Sequence, residues 1–95
     1  MALLNDVKLA VRIINTVFDG EISDLISACQ DDLQLAGVTK TKALDETDPL
    51  IKRAICIYTK ANFGFDNPDA ERLQKSYDSL KMSLALSDDY NGGGS

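Results

Sequence analysis

The apolar side chains of this chain recur in steps of three and four residues, and this spacing restricts the fold more than any other feature of the sequence. It is clearest in the second segment, where the apolar residues are Ile22, Leu25, Ile26, Cys29, Leu33 and Ala36. Such steps place side chains on one face of an α-helix. Four segments of this kind predict helices at residues 5–17, 20–36, 49–63 and 68–86. The predicted fold class is all-α, a small four-helix domain.

Residues that start and stop helices support these boundaries. Asn5 is a suitable N-cap for the first helix and Asp19 for the second, while Gly37 stands where a left-handed residue ends a helix. Asp48-Pro49 and Asn67-Pro68 each combine a capping side chain with a proline at the first helical position. These two pairs predict the starts of the third and fourth helices.

The third predicted helix is apolar around more than half of its circumference. Its apolar residues are Leu50, Ile51, Ala54, Ile55, Ile57, Tyr58 and Ala61. A helix that is apolar on most sides is surrounded by other elements. We therefore expect the third helix at the centre of the domain, with a narrow exposed remainder formed by Lys52, Arg53, Thr59 and Lys60.

The fourth predicted helix has a heptad-like seam and a polar face. The seam residues are Ala70, Leu73, Tyr77, Leu80 and Leu84. Between them stand Arg72, Lys75, Asp78 and Lys81, which we expect to point outward into solvent.

Two segments lack helical periodicity. Residues 38–47 form the longest connection, between the second and third helices, and should contribute little to the core. Lys40 and Lys42 in this loop are candidates for contact with a partner; a plain solvated connector is the alternative. Residues 88–95 are polar and glycine-rich and predict a flexible C-terminal tail after a single domain at residues 1–87.

Composition excludes most catalytic designs. The chain of 95 residues is long enough for one core only. It contains no histidine, so neither Cys29 nor Cys56 has an imidazole base, and the usual zinc and di-iron ligand sets are missing. Both cysteines fall on apolar helical stripes and should be buried free thiols. We expect no enzyme activity, no metal site and no cofactor.

Charge and hydropathy bear on partners and location. The net charge is −5, from 15 acidic and 10 basic residues, which disfavours tight binding to a phosphate backbone. No uncharged run approaches the roughly 20 residues of a membrane span, and an acidic residue, Asp6, stands where a signal peptide is basic. We expect a cytoplasmic protein without membrane contact.

Recognisable motifs stand at residues 48–55, 58–64, 69–73 and 76–77, and looser ones at residues 4–13 and 25–29. These stretches resemble one known family, the head-tail connector (head completion, or adaptor) proteins of long-tailed bacteriophages. The resemblance covers most of the chain but rests on packing motifs.

The resemblance implies α-helical subunits that form a ring beneath the portal protein of the phage head. Such a ring would extend the DNA channel, through which DNA passes transiently and without sequence specificity, and would dock the stopper or tail protein. In such a ring, Lys40 and Lys42 are the candidates for a channel-facing contact with DNA. It also implies roughly twelve subunits, no catalysis and no cofactor. The protein would be present in the host cytoplasm during assembly and then at the head-tail interface of the virion.

Apolar residues outside the main helical faces indicate where subunits could meet. Leu9 and Ile13 lie off the face of the first helix, and Met82 and Leu86 lie off the seam of the fourth. A small monomer rarely exposes such patches on two sides. These four residues are therefore predicted to form the oligomer interface.

The main alternative is a small helical interaction or regulatory module, of the antitoxin or transcription-regulating kind. Such a module would need a basic recognition helix. The available cations, Lys52, Arg53 and Lys60, are few and stand in an apolar helix. A ring with a central hole would distinguish the connector from this alternative.

Overall fold

The computed structural model describes residues 2–12, 16–63 and 68–92, and all the regular structure among them is helical. The helices are α1 (Ala2–Ala10), α2 (Asp19–Ala36), α3 (Lys40–Ala43), α4 (Pro49–Asn62), α5 (Ala70–Leu86) and α6 (Asp88–Asn91). The predicted all-α class is confirmed. The four long helices correspond to the four predicted ones, and α3 and α6 are single turns that the sequence did not predict.

Helix α4 lies at the centre, as predicted, and packs against α1, α2 and α5. Its residues Ile51, Ala54 and Ile55 are fully buried. The residues of the other elements that complete the core are Leu3, Val7, Ile22, Ile26, Cys29, Leu33, Val38, Ala43, Tyr77 and Leu84. Thr59, expected on the exposed side of this helix, is also fully buried, because α4 is covered over a wider arc than its polar residues indicate.

Two of the helix boundaries form as predicted. The Asp48 carboxylate accepts hydrogen bonds from the backbone N–H groups of Leu50 and Ile51, at 2.9 and 3.3 Å, and Pro49 occupies the first turn. At the end of α2, Gly37 has φ +124°, and its N–H donates to the carbonyl of Gln34. Local chemistry alone sets these two ends.

The boundaries of α1 differ from the predicted 5–17. The helix begins at Ala2, because Leu3 and Val7 form one buried turn that draws the N-terminal residues onto the core. It ends at Ala10, and Arg12 has a left-handed φ of +62°. Val17, the last residue of the predicted helix, is 77 % exposed. Ile13 and Ile14 lie outside the described residues.

The starts of α2 and α5 also differ in detail. The N-cap of α2 is Phe18, without a capping side-chain hydrogen bond, and the carboxylate of Asp19 instead pairs with Lys8 at 2.8 Å. Helix α5 begins at Ala70, two residues later than expected, after Pro68 and Asp69 in a turn. Asn67, the predicted cap, lies outside the described residues.

The connection at residues 38–47 contributes more to the core than its lack of periodicity predicted. Val38 and Ala43 are buried, and the single turn of α3 starts at Thr39, whose hydroxyl oxygen accepts a hydrogen bond from the N–H of Lys42. The two buried side chains of Val38 and Ala43 are therefore enough to attach this segment to the core. A periodic pattern needs more residues than α3 has.

Residues 88–92 of the predicted tail include one helical turn, α6. Helix α6 packs back on the start of α3, where the N–H of Thr39 donates to the carbonyl of Tyr90 at 2.9 Å. The Tyr90 hydroxyl donates to the Asp48 carboxylate, with 2.9 and 3.0 Å to its two oxygens. The last three residues, 93–95, lie outside the described part of the chain.

No helix in the described segments is long and apolar enough to cross a membrane.

Candidate functional site

The most exposed apolar side chains mark the candidate interaction surfaces of this chain. Leu9 on α1 is 68 % exposed, and Met82 and Leu86 on α5 are 66 % and 80 % exposed. These three residues of the predicted interface therefore lie on the surface, on two different helices. Ile13, the fourth, is outside the described residues, and a role of any of them in oligomerisation stays a prediction.

One exposed apolar residue escaped the sequence analysis. Leu35 on α2 is 87 % exposed, the highest value among the large apolar side chains of the described segments. It stands off the buried face of α2, two residues after the buried Leu33, and this offset was the signal that could have identified it.

A shallow groove of about 660 Å³ runs between the outer sides of α4 and α5. Its lining residues are Leu50, Arg53, Ile57, Arg72, Lys75, Ser76, Ser79, Leu80 and Ser83. The lining thus combines three cations with three serines and an aliphatic floor, and it includes no acidic residue. On a chain with a net charge of −5, this groove is a local positive surface.

The two groove cations on α5, Arg72 and Lys75, keep most of their surface in solvent. Arg72 lies 3.6 Å from the carboxylate of Asp69, and Lys75 lies 3.5 Å from that of Glu71. Both pairs are exposed and close within one helical turn, so each contributes little to stability. Arg72 and Lys75 can therefore contact a partner at small cost.

Helix α2 has the opposite charge. It contains five acidic residues and neither lysine nor arginine. Glu21, Asp24 and Asp31 are exposed, and no ion pair joins them to another described residue. The other two, Asp19 and Asp32, pair inward with lysines. The outer face of α2 is thus an acidic surface.

A buried polar network fixes α5 against α2. The thiol of Cys29 donates a weak hydrogen bond to the Tyr77 hydroxyl at 3.7 Å, and that hydroxyl donates to the Asp32 carboxylate at 2.7 Å. The ammonium of Lys81 donates to the same carboxylate at 3.0 Å and lies 5.2 Å from the centre of the Tyr77 ring. Lys81, predicted to be a solvated residue, is thus turned inward, because Asp32 provides a charge partner on the facing helix.

The ionisation of these groups follows from their surroundings. Burial raises the pKa of Cys29 to about 12, so the group is a neutral thiol at physiological pH. Burial and the hydrogen bond to Asp32 raise the pKa of Tyr77. Burial alone would raise the pKa of Asp32, but hydrogen bonds from Tyr77 and Lys81 outweigh it and hold that pKa below its ordinary value.

The two cysteines differ in their degree of burial. Cys29 is completely buried, as predicted, whereas Cys56 is half-buried. Burial also raises the pKa of Cys56. Neither group is an activated nucleophile in this structure, and the described residues contain no cluster of ligands that could hold a metal ion.

The two lysines of the α3 segment lie in different environments. Lys40 is exposed. The Lys42 ammonium lies 5.3 Å from the centre of the Tyr90 ring and 3.9 Å from the Asp48 carboxylate, so it also holds α6 in place. Of the two, Lys40 is the one available to a partner.

The chain was compared with protein-family models, curated proteins and solved structures. A family model described as phage connector protein matches residues 3–91. Neither the curated proteins nor the solved structures provided a match to this chain.

Proposed function

This chain belongs to the phage connector protein family, whose role is structural, and from that premise we propose that it forms a ring beneath the portal protein. In this role the ring extends the DNA channel and joins the head to the stopper or tail protein. It requires no catalysis and no cofactor. The protein assembles in the host cytoplasm and then becomes part of the virion at the head-tail interface.

The observation that carries the ring is the exposure of unlike apolar patches on two helices. Leu9 on α1 and the pair Met82 and Leu86 on α5 are all more than half exposed. A contact between two different patches of identical subunits is heterologous, and it repeats until the rotation closes a ring. The surfaces of α1 and α5 are therefore our proposed interface.

The charge of the subunit suits a DNA conduit. Because the net charge is −5, the subunit attracts the phosphate backbone of DNA only weakly, so the polymer can slide through the ring. The exposed Lys40 is our candidate for a light contact with DNA or with an acidic partner, and Lys42 is close to it in sequence but occupied by Tyr90 and Asp48. Family resemblance supports a stoichiometry near that of the portal, roughly twelve.

Electron microscopy tests the proposal directly. The purified protein is imaged alone and after mixing with portal-bearing heads, because the portal can act as a template. We expect rings with a central hole, or added density beneath the portal. A protein that forms neither, at any concentration, would contradict the connector role and favour a small regulatory module.

A further inference from the structure

The outer faces of α2 and α5 carry two rows of exposed side chains with the same spacing. The row on α5, here called the basic row, is Arg72, Lys75, Ser79, Met82 and Leu86. The row on α2, here called the acidic row, is Glu21, Asp24, Ala28, Asp31 and Leu35. Both advance in steps of three, four, three and four, so each follows one stripe of its helix. Each row extends over about 21 Å at the helical rise of about 1.5 Å per residue.

The two rows are complementary when the helices run parallel. Arg72 then lies opposite Glu21, and Lys75 opposite Asp24. At the other end, Leu86 lies opposite Leu35. An antiparallel arrangement would instead set Leu35 beside Arg72 and the acids beside Leu86, so the charges and the apolar contacts both favour the parallel one.

We propose that the acidic row of one copy of this chain packs against the basic row of the next copy, in parallel orientation. This inference rests on the proposed ring and names the surfaces through which its subunits meet. Because the rows lie on different helices, every subunit offers one row to each neighbour, and the contact repeats around the ring.

The surroundings of the rows fit this contact. The groove between α4 and α5 lies along the basic row and adds the cation of Arg53 and the aliphatic surface of Leu50 and Leu80. Helix α1, which carries the exposed Leu9, packs against α2, which carries the acidic row. The α1–α2 part of one subunit thus meets the α5 side of the next. Asp31 is the one mismatched position, because it lies opposite Met82 in this register.

A second copy fits the basic row better than DNA does. The row ends in Met82 and Leu86, which a phosphate backbone would leave uncovered, whereas Leu35 of the acidic row covers Leu86. The net charge of −5 also opposes a polyanion, and the matching acidic row is present in the same chain.

Two charge-reversal variants test the contact. The first is R72E/K75E and the second is E21K/D24K. Each alone would face like charges at every contact and should associate about tenfold more weakly, or worse, than the wild type. Mixed in equal amounts, the two variants can alternate around the ring with opposite charges at every contact, and assembly should return. Native mass spectrometry and binding to portal-bearing heads measure the assembly.

A matched control changes the same amount of charge elsewhere. The variant D88K/D89K reverses two exposed acids outside both rows and should assemble like the wild type. Circular dichroism confirms that the helices remain in each variant, which is expected because all four substituted row positions are exposed.

The outcomes separate this inference from the proposed function. Normal assembly of either variant alone, or failure of the mixture with helicity kept, shows that the rows are not the interface while the wild-type ring stands. Loss of affinity for duplex DNA by R72E/K75E, with assembly unchanged, would reassign the basic row to phosphate binding. If the wild type neither forms rings nor joins heads, the proposed function fails and this inference fails with it.

Discussion

Tyr77 is the residue at which the polar contacts between α2 and α5 converge. Its ring is fully buried and meets Tyr58 edge to face, with 5.1 Å between the ring centres. Its hydroxyl accepts from Cys29 and donates to Asp32. A buried hydroxyl needs partners, and here it finds them on a helix 45 residues away in sequence. Tyr77 therefore fixes the position of α5 as well as filling the core.

Replacing Tyr77 with Phe should lower the free energy of unfolding by about 1–2 kcal/mol at neutral pH, because the Asp32 carboxylate loses a hydrogen bond. The same bond helps to lower the pKa of Asp32 in the folded state. Its stabilisation is therefore present above the ordinary carboxyl pKa and is lost as the pH falls through the lowered one. The variant should show a weaker dependence of stability on pH in that acid range.

Urea denaturation at neutral and at acid pH measures both effects. Tyr58→Phe is the matched control, since the Tyr58 hydroxyl has no hydrogen bond to another described residue. An equal loss of stability in the two variants would show that the hydrogen bond from Tyr77 to Asp32 does not stabilise the fold.

The two thiols should differ in reactivity but not in function. Cys29, buried and with its pKa raised to about 12, should react with a thiol reagent only through unfolding, whereas the half-buried Cys56 should react faster. Replacing both with Ala should lower stability by about 1–2 kcal/mol and leave assembly intact. Loss of assembly in a double variant with full helicity would refute this expectation.

At the scale of elements, the contact between α6, α3 and the start of α4 joins three parts of the chain. The Asp48 carboxylate caps α4 and also accepts the hydrogen bond from Tyr90. Lys42 on α3 lies over the ring of Tyr90. The C-terminal turn therefore protects a helix start that is essential to the central helix.

Replacing Tyr90 with Ala should release α6 and lower the free energy of unfolding by about 1–3 kcal/mol, because a ring contact and the bonds to Asp48 are lost together. Asp89→Ala, an exposed neighbour on the same turn, is the control and should change stability little. Chemical denaturation compares the two. Equal stability of the Tyr90 variant and the wild type would instead support the flexible tail that the sequence predicts.

Charge reversal of the α3 lysines should separate stability from partner contact. Lys42→Glu should reduce stability, since it places a carboxylate beside Asp48. Lys40 is exposed, so Lys40→Glu should leave stability unchanged while weakening docking to the head or the tail. Thermal melts and head-joining assays measure the two effects. If both variants dock normally, the segment is only a connector.

At the scale of the whole molecule, the subunit has an uneven distribution of charge and apolar surface. The acidic residues of α2 and the cations beside α5 face outward from different helices, and each surface ends in an exposed leucine. Such an arrangement favours contacts between unlike surfaces over the self-complementary contact of a two-fold dimer. A ring follows more readily from it than a simple dimer.

Asp introduced at Leu9 or at Met82 should leave the fold intact but reduce the joining of the protein to portal-bearing heads. Both side chains are mostly exposed, so the free energy of unfolding should change by less than about 0.5 kcal/mol. A buried carboxylate at the interface would oppose assembly. Val17→Asp is the control, because Val17 is exposed but lies outside α1 and α5. Normal joining by both variants would remove these residues from the interface.

The sequence by itself determined the long helices and several of their ends. Helices α2 and α4 follow from apolar spacing and from caps such as Asp48 and Gly37, which act within a few residues of the chain. The same local physics predicted a central α4 and the exposure of Met82 and Leu86. These features need no knowledge of the partner helix.

Only the tertiary structure decided which polar side chains turn inward. Asp32 and Lys81 have the pattern of solvated residues, yet they meet across 49 positions of sequence. Tyr90 likewise finds Asp48 at a separation of 42, which converts a polar tail into a docked turn. Charge pairing and burial at such separations depend on how the helices are placed, and apolar periodicity carries no information about the polar partner on another helix.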